Sequence, residues 1–235
     1  MIDISFLVTA HNSELYVEKC IDSILNQDKS SLTSELIVID DGSFDNTRNL
    51  LLNYGNKARI YLQDNKGVEA AANFGIYKAK GRFVCRVDSD DALKSDFLKN
   101  ISHYLKNDNN FYYGNYDLMN YNSEILKHMH LPNFSIPEIL ERGDFLATGT
   151  IFPKNLILDF GAYSEVKKNC GLENYELVVK MILAGVIGVH IDKPLFYYRA
   201  HDQNLSNKKR LEIISYGNDM MKKEAKTKYL TNEFH

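Results

Sequence analysis

The chain has 235 residues, enough for one large domain with its own core and too few for two independent folds. With 44% hydrophobic residues, 25% charged residues and a net charge of −3, it has globular composition and lacks the basic excess of a general nucleic-acid binder. No run approaches the roughly 20 apolar residues that span a bilayer, and Cys20, Cys85 and Cys170, odd in number and without a CxxC pair, read as reduced thiols of a cytoplasmic protein.

In chain order, ISFLV (4–8), ELIVID (35–40), ARIYLQ (58–63) and RFVCRVD (82–88) are short apolar runs bounded by turn or acidic residues, the pattern of strands buried in a parallel sheet. The opening MIDISFLVTAHN, with about five apolar residues and no basic flank, is expected to be the first strand rather than a signal peptide. Helical spacing separates the strands. Over 13–27 the apolar positions Leu15, Val17, Cys20, Ile21, Ile24 and Leu25 recur, with Asn12 or Ser13 as N-cap and Glu14 in the first turn. Residues 44–53 and 67–80 repeat the pattern, the latter ending at Gly81. Such βα units predict an open, twisted α/β sheet with right-handed crossovers. Beyond residue 94 the pattern predicts a helix near 95–106, a Tyr-rich strand over 110–120 and a loop at 130–138. A helix over 174–185 ending at Gly185 and two further strands, GVIGVHID (185–192) and PLFYYRAH (194–201), follow.

Ligands of such sheets bind beyond the carboxyl ends of the strands. Those ends here read TAHN, DDGS and DSDD, so polar and acidic groups from three strands converge on one edge. Asp88, Asp90 and Asp91 fall within four positions, and carboxylates this close cannot all ionise cheaply without a cation or strong donors. Oxygen ligands suit Mg2+ or Mn2+, whose coordination shell substrate phosphates commonly complete, so the strand-end DxD suggests a metal-bridged diphosphate. Capping of a helix starting near Ala92 would account for one aspartate and not for three. In IVIDDGSFDNT (37–47), Asp41 can accept from a nucleobase imide or a ribose hydroxyl, while Asp40, Ser43 and Asp45 can equally cap the next helix. His11 offers a flat ring for stacking, or serves structure alone.

Taken as an ordered set, FLVTAHNSELYVEKCIDSILNQ (6–27), ELIVIDDGSFDNT (35–47), NKGVEAAANFGIYKAKGRFVCRVDSDD (65–91), GLENYELVVKMILAG (171–185) and YRAHDQNLS (198–206) resemble the inverting glycosyltransferases of family 2, whose nucleotide-sugar domain has the GT-A fold. The resemblance implies a Rossmann-like, open, twisted, mostly parallel sheet flanked by helices, with a C-terminal acceptor-side region. Residues 1–95 would bind the nucleotide sugar, 96–206 would form the acceptor side of the same domain, and 207–235 would be a basic helical tail. It also implies roles. Thr9 and His11 would line the base pocket, Asp41 would accept from the base imide, and Asp88 would face the ribose and the metal. Asp90 would be the main ligand to Mn2+ or Mg2+, with Asp91 adjacent, and His201 would reach the metal or the diphosphate. The donor would be a nucleotide sugar, UDP by family frequency, and the acceptor a saccharide or lipid-linked glycan in surface-polysaccharide or lipopolysaccharide assembly.

Two departures stand out. Family members carry Glu-Asp at the start of the acceptor-side helix, the Asp being the general base, where this chain reads LENYEL and places Asn174. A carboxamide has no useful basicity, so Glu173 or Glu176 would have to substitute, and restoring a carboxylate as Asn174→Asp is expected to raise turnover. Ala72 stands where an Arg is common, leaving Lys66 or Arg86 to supply the missing positive charge. These losses keep open a nucleotide-sugar-binding module with weak or no transferase activity. A nucleotidyltransferase would need a Gly-rich basic loop after the first strand, which TAHNSELYVEK lacks, and a receiver-like domain would be far shorter.

From Asn207 onward seven Lys or Arg face four Asp or Glu. Leu211, Ile213, Ile214, Met220 and Met221 lie among them, a pattern fitting an amphipathic helix. Such a helix packs on its own domain, pairs two subunits, or makes peripheral contact with an anionic membrane.

Overall fold

Seven consecutive buried residues, Ile4–Ala10, make the strand on which the domain is built (β1), because a mostly apolar run with only Ser5 and Thr9 between has to be covered on both faces. The computed structural model describes residues 2–28, 30–146, 148–202 and 204–230. After β1 come α1 (Val17–Leu25), β2 (Ser34–Asp41), α2 (Thr47–Leu52), β3 (Arg59–Gln63), α3 (Val68–Lys78) and β4 (Phe83–Asp88). The second half runs β5 (Ala92–Leu93), α4 (Phe97–Ile101), β6 (Asn110–Met119), β7 (Ile125–Met129), α5 (Ile136–Arg142), β8 (Ile151–Pro153), α6 (Lys154–Asp159), α7 (Glu173–Leu183), β9 (Ile187–Arg199), α8 (Leu205–Lys208) and α9 (Arg210–Glu224).

Among the described residues these strands form one nine-stranded sheet in the order β3-β2-β1-β4-β8-β6-β9-β5, with β7 on the side of β6. The long ladders, β1 with β2 and β4, β2 with β3, and β6 with β9, are parallel. The antiparallel pairings of β4 with β8, β6 with β7 and β8, and β5 with β9 are short. The fold is therefore the mostly parallel α/β sheet of the GT-A type, with a mixed second half. Strand order runs outward from β1 through β2 to β3 and then returns to β4 on the other side. The crevice where it reverses lies between β1 and β4, with Thr9 paired to Asp88 across it and to Ile39 on the other flank.

Several boundaries differ from the sequence expectation. The first helix begins at Val17 with Tyr16 in the capping position and no side-chain cap, so neither Asn12 nor Ser13 is the N-cap. Those two residues are drawn into the strand-end turns instead: the Asn12 N–H donates to Ser43 Oγ at 3.0 Å, and the Ser13 N–H to Thr47 Oγ1 at 2.7 Å. No helix starts at Ala92, because Ala92–Leu93 pairs antiparallel with Phe196 and Tyr197. The helix expected near 95–106 is only Phe97–Ile101. The loop expected over 130–138 contains the start of α5, capped by Ser135, whose hydroxyl accepts the Glu138 N–H, with Pro137 in the first turn, where its missing N–H costs no helical hydrogen bond. The two strands expected after Gly185 are one strand, β9, whose register against β6 slips at Gly114 and Asn115. Pro194, which has no N–H for a ladder, sits at that irregularity.

The basic tail packs on its own domain. Ile213, Gly217, Met220 and Met221 of α9 are buried, Tyr216 Oη donates to Glu176 Oε2 at 2.7 Å, and the Tyr229 ring lies against Gly217. One continuous apolar core joins β1 to Tyr229.

Candidate active site

A cleft of about 860 Å³ opens over the carboxyl ends of β1 and β4, a size usual for small-molecule sites. Thr9, His11, Asp88, Asp90, Glu173 and Asn174 all line it, as does His201, so seven expected site residues from four chain segments meet in one place. Asp41 and Lys66 do not line it. Asp41 is buried, its Oδ1 accepting from Gln63 Nε2 and the Lys66 N–H and its Oδ2 from the Gly67 N–H, each at 2.8 Å. Its carboxylate thus clamps the 63–67 turn, and Lys66 contributes a backbone N–H while its side chain is exposed.

The turns after β1 and β2 are stitched together. Asn12 Oδ1 accepts the Phe44 N–H at 3.0 Å, and Glu14 Oε2 accepts the Asn46 N–H at 2.8 Å. Gly42 makes this possible: its φ is +71°, and a Cβ there would lie 2.6 Å from the Asn65 backbone nitrogen. The stitching carries His11 to the cleft edge, its Nδ1 2.9 Å from the Asp41 carbonyl oxygen and its ring edge-on to Phe44 at 5.9 Å. Phe44 is 85% exposed and lines the cleft, an aromatic wall the sequence reading did not single out.

The three aspartates after β4 take three different environments. Asp88 turns Oδ1 to Arg86 Nε at 3.3 Å. Asp90 places Oδ2 3.0 Å from His201 Nε2 and 3.4 Å from Asn204 Nδ2, while its backbone carbonyl accepts from Arg199 Nε at 2.7 Å. Asp91 is buried and accepts the Arg199 N–H at 2.8 Å; burial, then the charges of Asp90 and Asp88, push its carboxyl well above the usual range. It ties the β4 end to β9, and its raised basicity is the effect of burial and of the neighbouring carboxylates.

Asp90 Oδ2 and His201 Nε2 lie 3.0 Å apart, at hydrogen-bond distance. Asp88 is not part of a tight triad with them. Among the described residues the three donors that gather within 4.8 Å are Glu69, Cys170 and Glu173, all buried. Glu69 there accepts the N–H groups of Asn169 and Cys170 at 2.9 and 2.7 Å, which fits a loop anchor.

Asn204 completes the pair's support, since its Oδ1 also accepts the His201 N–H at 2.6 Å. Arg199, whose guanidinium stacks 4.6 Å over Tyr16, donates to Ser123 Oγ at 2.9 Å as well as to Asp90. Neither residue was singled out from sequence, although Arg199 sits at a strand end flanked by aromatic residues.

On the opposite wall Arg86 donates to Glu173 Oε1 at 2.6 Å and stacks 5.4 Å over Tyr163. Burial works against its charge, but the carboxylates of Asp88 and Glu173 outweigh burial and hold it protonated. Asn174 Nδ2 donates to the Leu146 carbonyl at 2.6 Å, a bond that an aspartate cannot make. Glu176 does not line the cleft; it pairs with Lys180 at 2.6 Å and with Tyr216. Asp144, absent from the sequence expectations, does line it, and burial pushes its carboxyl up to about 8, with Glu173 adding to the rise and Arg86 opposing it. The tail contributes Lys208, Arg210, Ile213 and Tyr229 to the rim.

Comparison with known proteins places this geometry. An uncharacterised glycosyltransferase of Rickettsia felis is 29% identical over 219 residues, covering 87% of this chain and 35% of its own length. The UDP-Glc:alpha-D-GlcNAc-diphosphoundecaprenol beta-1,3-glucosyltransferase WfgD of Escherichia coli is 33% identical over 173 residues, 72% of this chain and 56% of its own. The chain thus spans between about a third and just over half of these two relatives, but 94% of the E. coli O-antigen biosynthesis glycosyltransferase WbnJ, at 29% identity over 99% of this chain. The crystal structure of S. aureus TarS in complex with UDP-GlcNAc shares the fold, with a TM-score of 0.72 over 95% of this chain and 67% of that one at 18% identity. Residues 5–166 match the family described as Glycosyl transferase family 2, and the chain belongs to that family.

Proposed function

We propose that the chain transfers a sugar from a nucleoside diphosphate donor, a UDP-sugar, to a saccharide hydroxyl with inversion, in the assembly of a surface polysaccharide or lipopolysaccharide. The observation that carries this reading is the cleft at the strand-order reversal, where Thr9 and His11 of one strand end face Asp88 and Asp90 of the next. WfgD is named for a UDP-Glc donor and an undecaprenol-linked acceptor, WbnJ for O-antigen biosynthesis, and TarS binds UDP-GlcNAc.

In this reading His11 and Phe44 flank the base, and Asp41 fixes the 63–67 turn that backs them. Asp88 takes the ribose. Asp90 and His201, with Asn204 orienting both, would hold Mn2+ or Mg2+; the Asp90 carboxylate suits either ion. When bound, the ion supplies positive charge to the departing diphosphate, stabilising the transition state more than the ground state. Lys208 and Arg210 bring further positive charge to the rim. No described helix is long and apolar enough to cross a membrane. Leu15, 74% exposed at the cleft, together with those rim cations, supports peripheral contact with a membrane holding a lipid-linked acceptor. A homodimer through the tail is the competing use of the same surface.

The test is UDP release from a panel of UDP-sugars in the presence of saccharide acceptors, with the anomeric configuration of the product read by NMR. Transfer with inversion supports the reading. Manganese-dependent UDP binding without release from any donor supports the binding-module alternative, whose basis is the carboxamide of Asn174.

A further inference from the structure

Four carboxylates line the cleft: Asp88, Asp90, Asp144 and Glu173. Arg86 engages both Asp88, at 3.3 Å, and Glu173, at 2.6 Å, and the second Glu173 oxygen faces Cys170 Sγ at 3.9 Å. His201 and Asn204 engage Asp90. Asp144 accepts the Leu146 backbone N–H and stands beside the start of α7. It follows Gly143, whose φ of +82° ends α5, and precedes Phe145 and Leu146, each 2% exposed. The segment is pinned on both sides: Asn174 Nδ2 holds the Leu146 carbonyl at 2.6 Å, and Tyr175 Oη holds the Ile139 carbonyl of α5 at 2.9 Å. The residue that lacks the carboxylate at the start of α7 therefore fixes the backbone that presents one just after α5.

We propose that Asp144 is the general base of the transfer. Its carboxylate takes the proton of the acceptor hydroxyl as that oxygen bonds to the anomeric carbon, while the bond from that carbon to the diphosphate oxygen breaks and its electron pair leaves with the diphosphate. The proton passes to solvent once the product has left. Asn174 is a positioning residue in this scheme, and the whole rests on the transferase reading above. The groups that act electrostatically on Asp144 are Glu173 of α7, Arg86 and Asp88 of β4, and the phenols of Tyr116, Tyr175 and Tyr229. Burial, reinforced by Glu173, raises its basicity, and a strong carboxylate base is what deprotonation of a hydroxyl requires.

The test uses UDP-glucose and UDP-GlcNAc as probes with water as acceptor, reading UDP release, alongside calorimetric binding of UDP. Asp144→Asn should slow release by about 100-fold or more, leave UDP affinity within about twofold, and abolish the wild type's rise in kcat with pH toward about 8. Formate should restore release to Asp144→Ala by about tenfold, a rescue that a structural role would not give. Release by a folded Asp144→Asn within about threefold of wild type, or failure of formate together with loss of activity in Glu173→Gln, overturns the assignment. A wild-type chain that binds no UDP overturns the transferase reading and this assignment with it; UDP bound and released normally by the variant overturns the assignment alone.

Discussion

Asn174 shows how a single side chain changes meaning between sequence and structure. Read as a lost base, it suggests that Asn174→Asp would recover activity. In the fold its amide donates to the Leu146 carbonyl, so an aspartate would set a carboxylate against a carbonyl oxygen at 2.6 Å. That substitution is expected to destabilise the chain by about 1–3 kcal/mol in urea denaturation, the cost of a buried acceptor left without its donor. It should also slow UDP release rather than raise it. Asn204 carries the next prediction, because it touches both Asp90 and the His201 backbone. Asn204→Ala should weaken Mn2+-dependent UDP binding by about 10- to 100-fold, the usual effect of removing a group that orients metal ligands, as measured by calorimetry. The residues legible in the sequence stand at strand ends and at the start of α7. Asp144, in an acidic–apolar stretch of no periodicity, owes its character to the walls packed round it, and no local pattern announces that.

At the scale of elements, the first four strands are legible because each is a short apolar run bounded by turn or acidic residues; β1, β2 and β4 are largely buried, whereas β3, at the sheet edge, is only partly covered. The second half was less so, for physical reasons that differ from element to element. β7 is exposed at four of its five positions and has no apolar face to read. β8 has three residues, too few for a period. β9 reads as two strands because Pro194 and the register slip interrupt it, although the ladder with β6 resumes beyond. α1 starts late because Asn12 and Ser13 serve the strand-end turns rather than the helix. The turn after β2 offers the test at this scale. Gly42→Ala has to adopt a φ of +71° and meet the Asn65 backbone, so it should cost about 1–3 kcal/mol by chemical denaturation and weaken UDP binding through loss of the His11 and Phe44 wall.

For the molecule as a whole, the cleft joins the strand ends of the first half to α7, β9 and the tail, which explains why family-level motifs located it and its rim stayed unread. Tyr229 and Ile213 reach it only because α9 folds back over α7. A functional carboxyl held in such a place also shapes stability. Asp144 is raised from an ordinary 3.8 to about 8, so between those values the unfolded chain loses a proton that the folded chain keeps. Its contribution is therefore full below about pH 4 and is lost as pH rises toward 8. Asp144→Asn is free of that loss. Its stability relative to wild type should be unchanged near pH 4 and greater by about 2 kcal/mol or more near pH 8, as read from denaturation curves across pH. A variant made more stable by losing a catalytic group is the expected signature of a site that trades stability for chemistry.

The most direct test of the proposed site is calorimetric titration of UDP into the wild-type chain and Asp90→Ala, each with and without Mn2+. Binding that strengthens with Mn2+ in the wild type and loses that dependence in the variant is the predicted result. Equal affinity in all four titrations would contradict a cation held between Asp90 and His201.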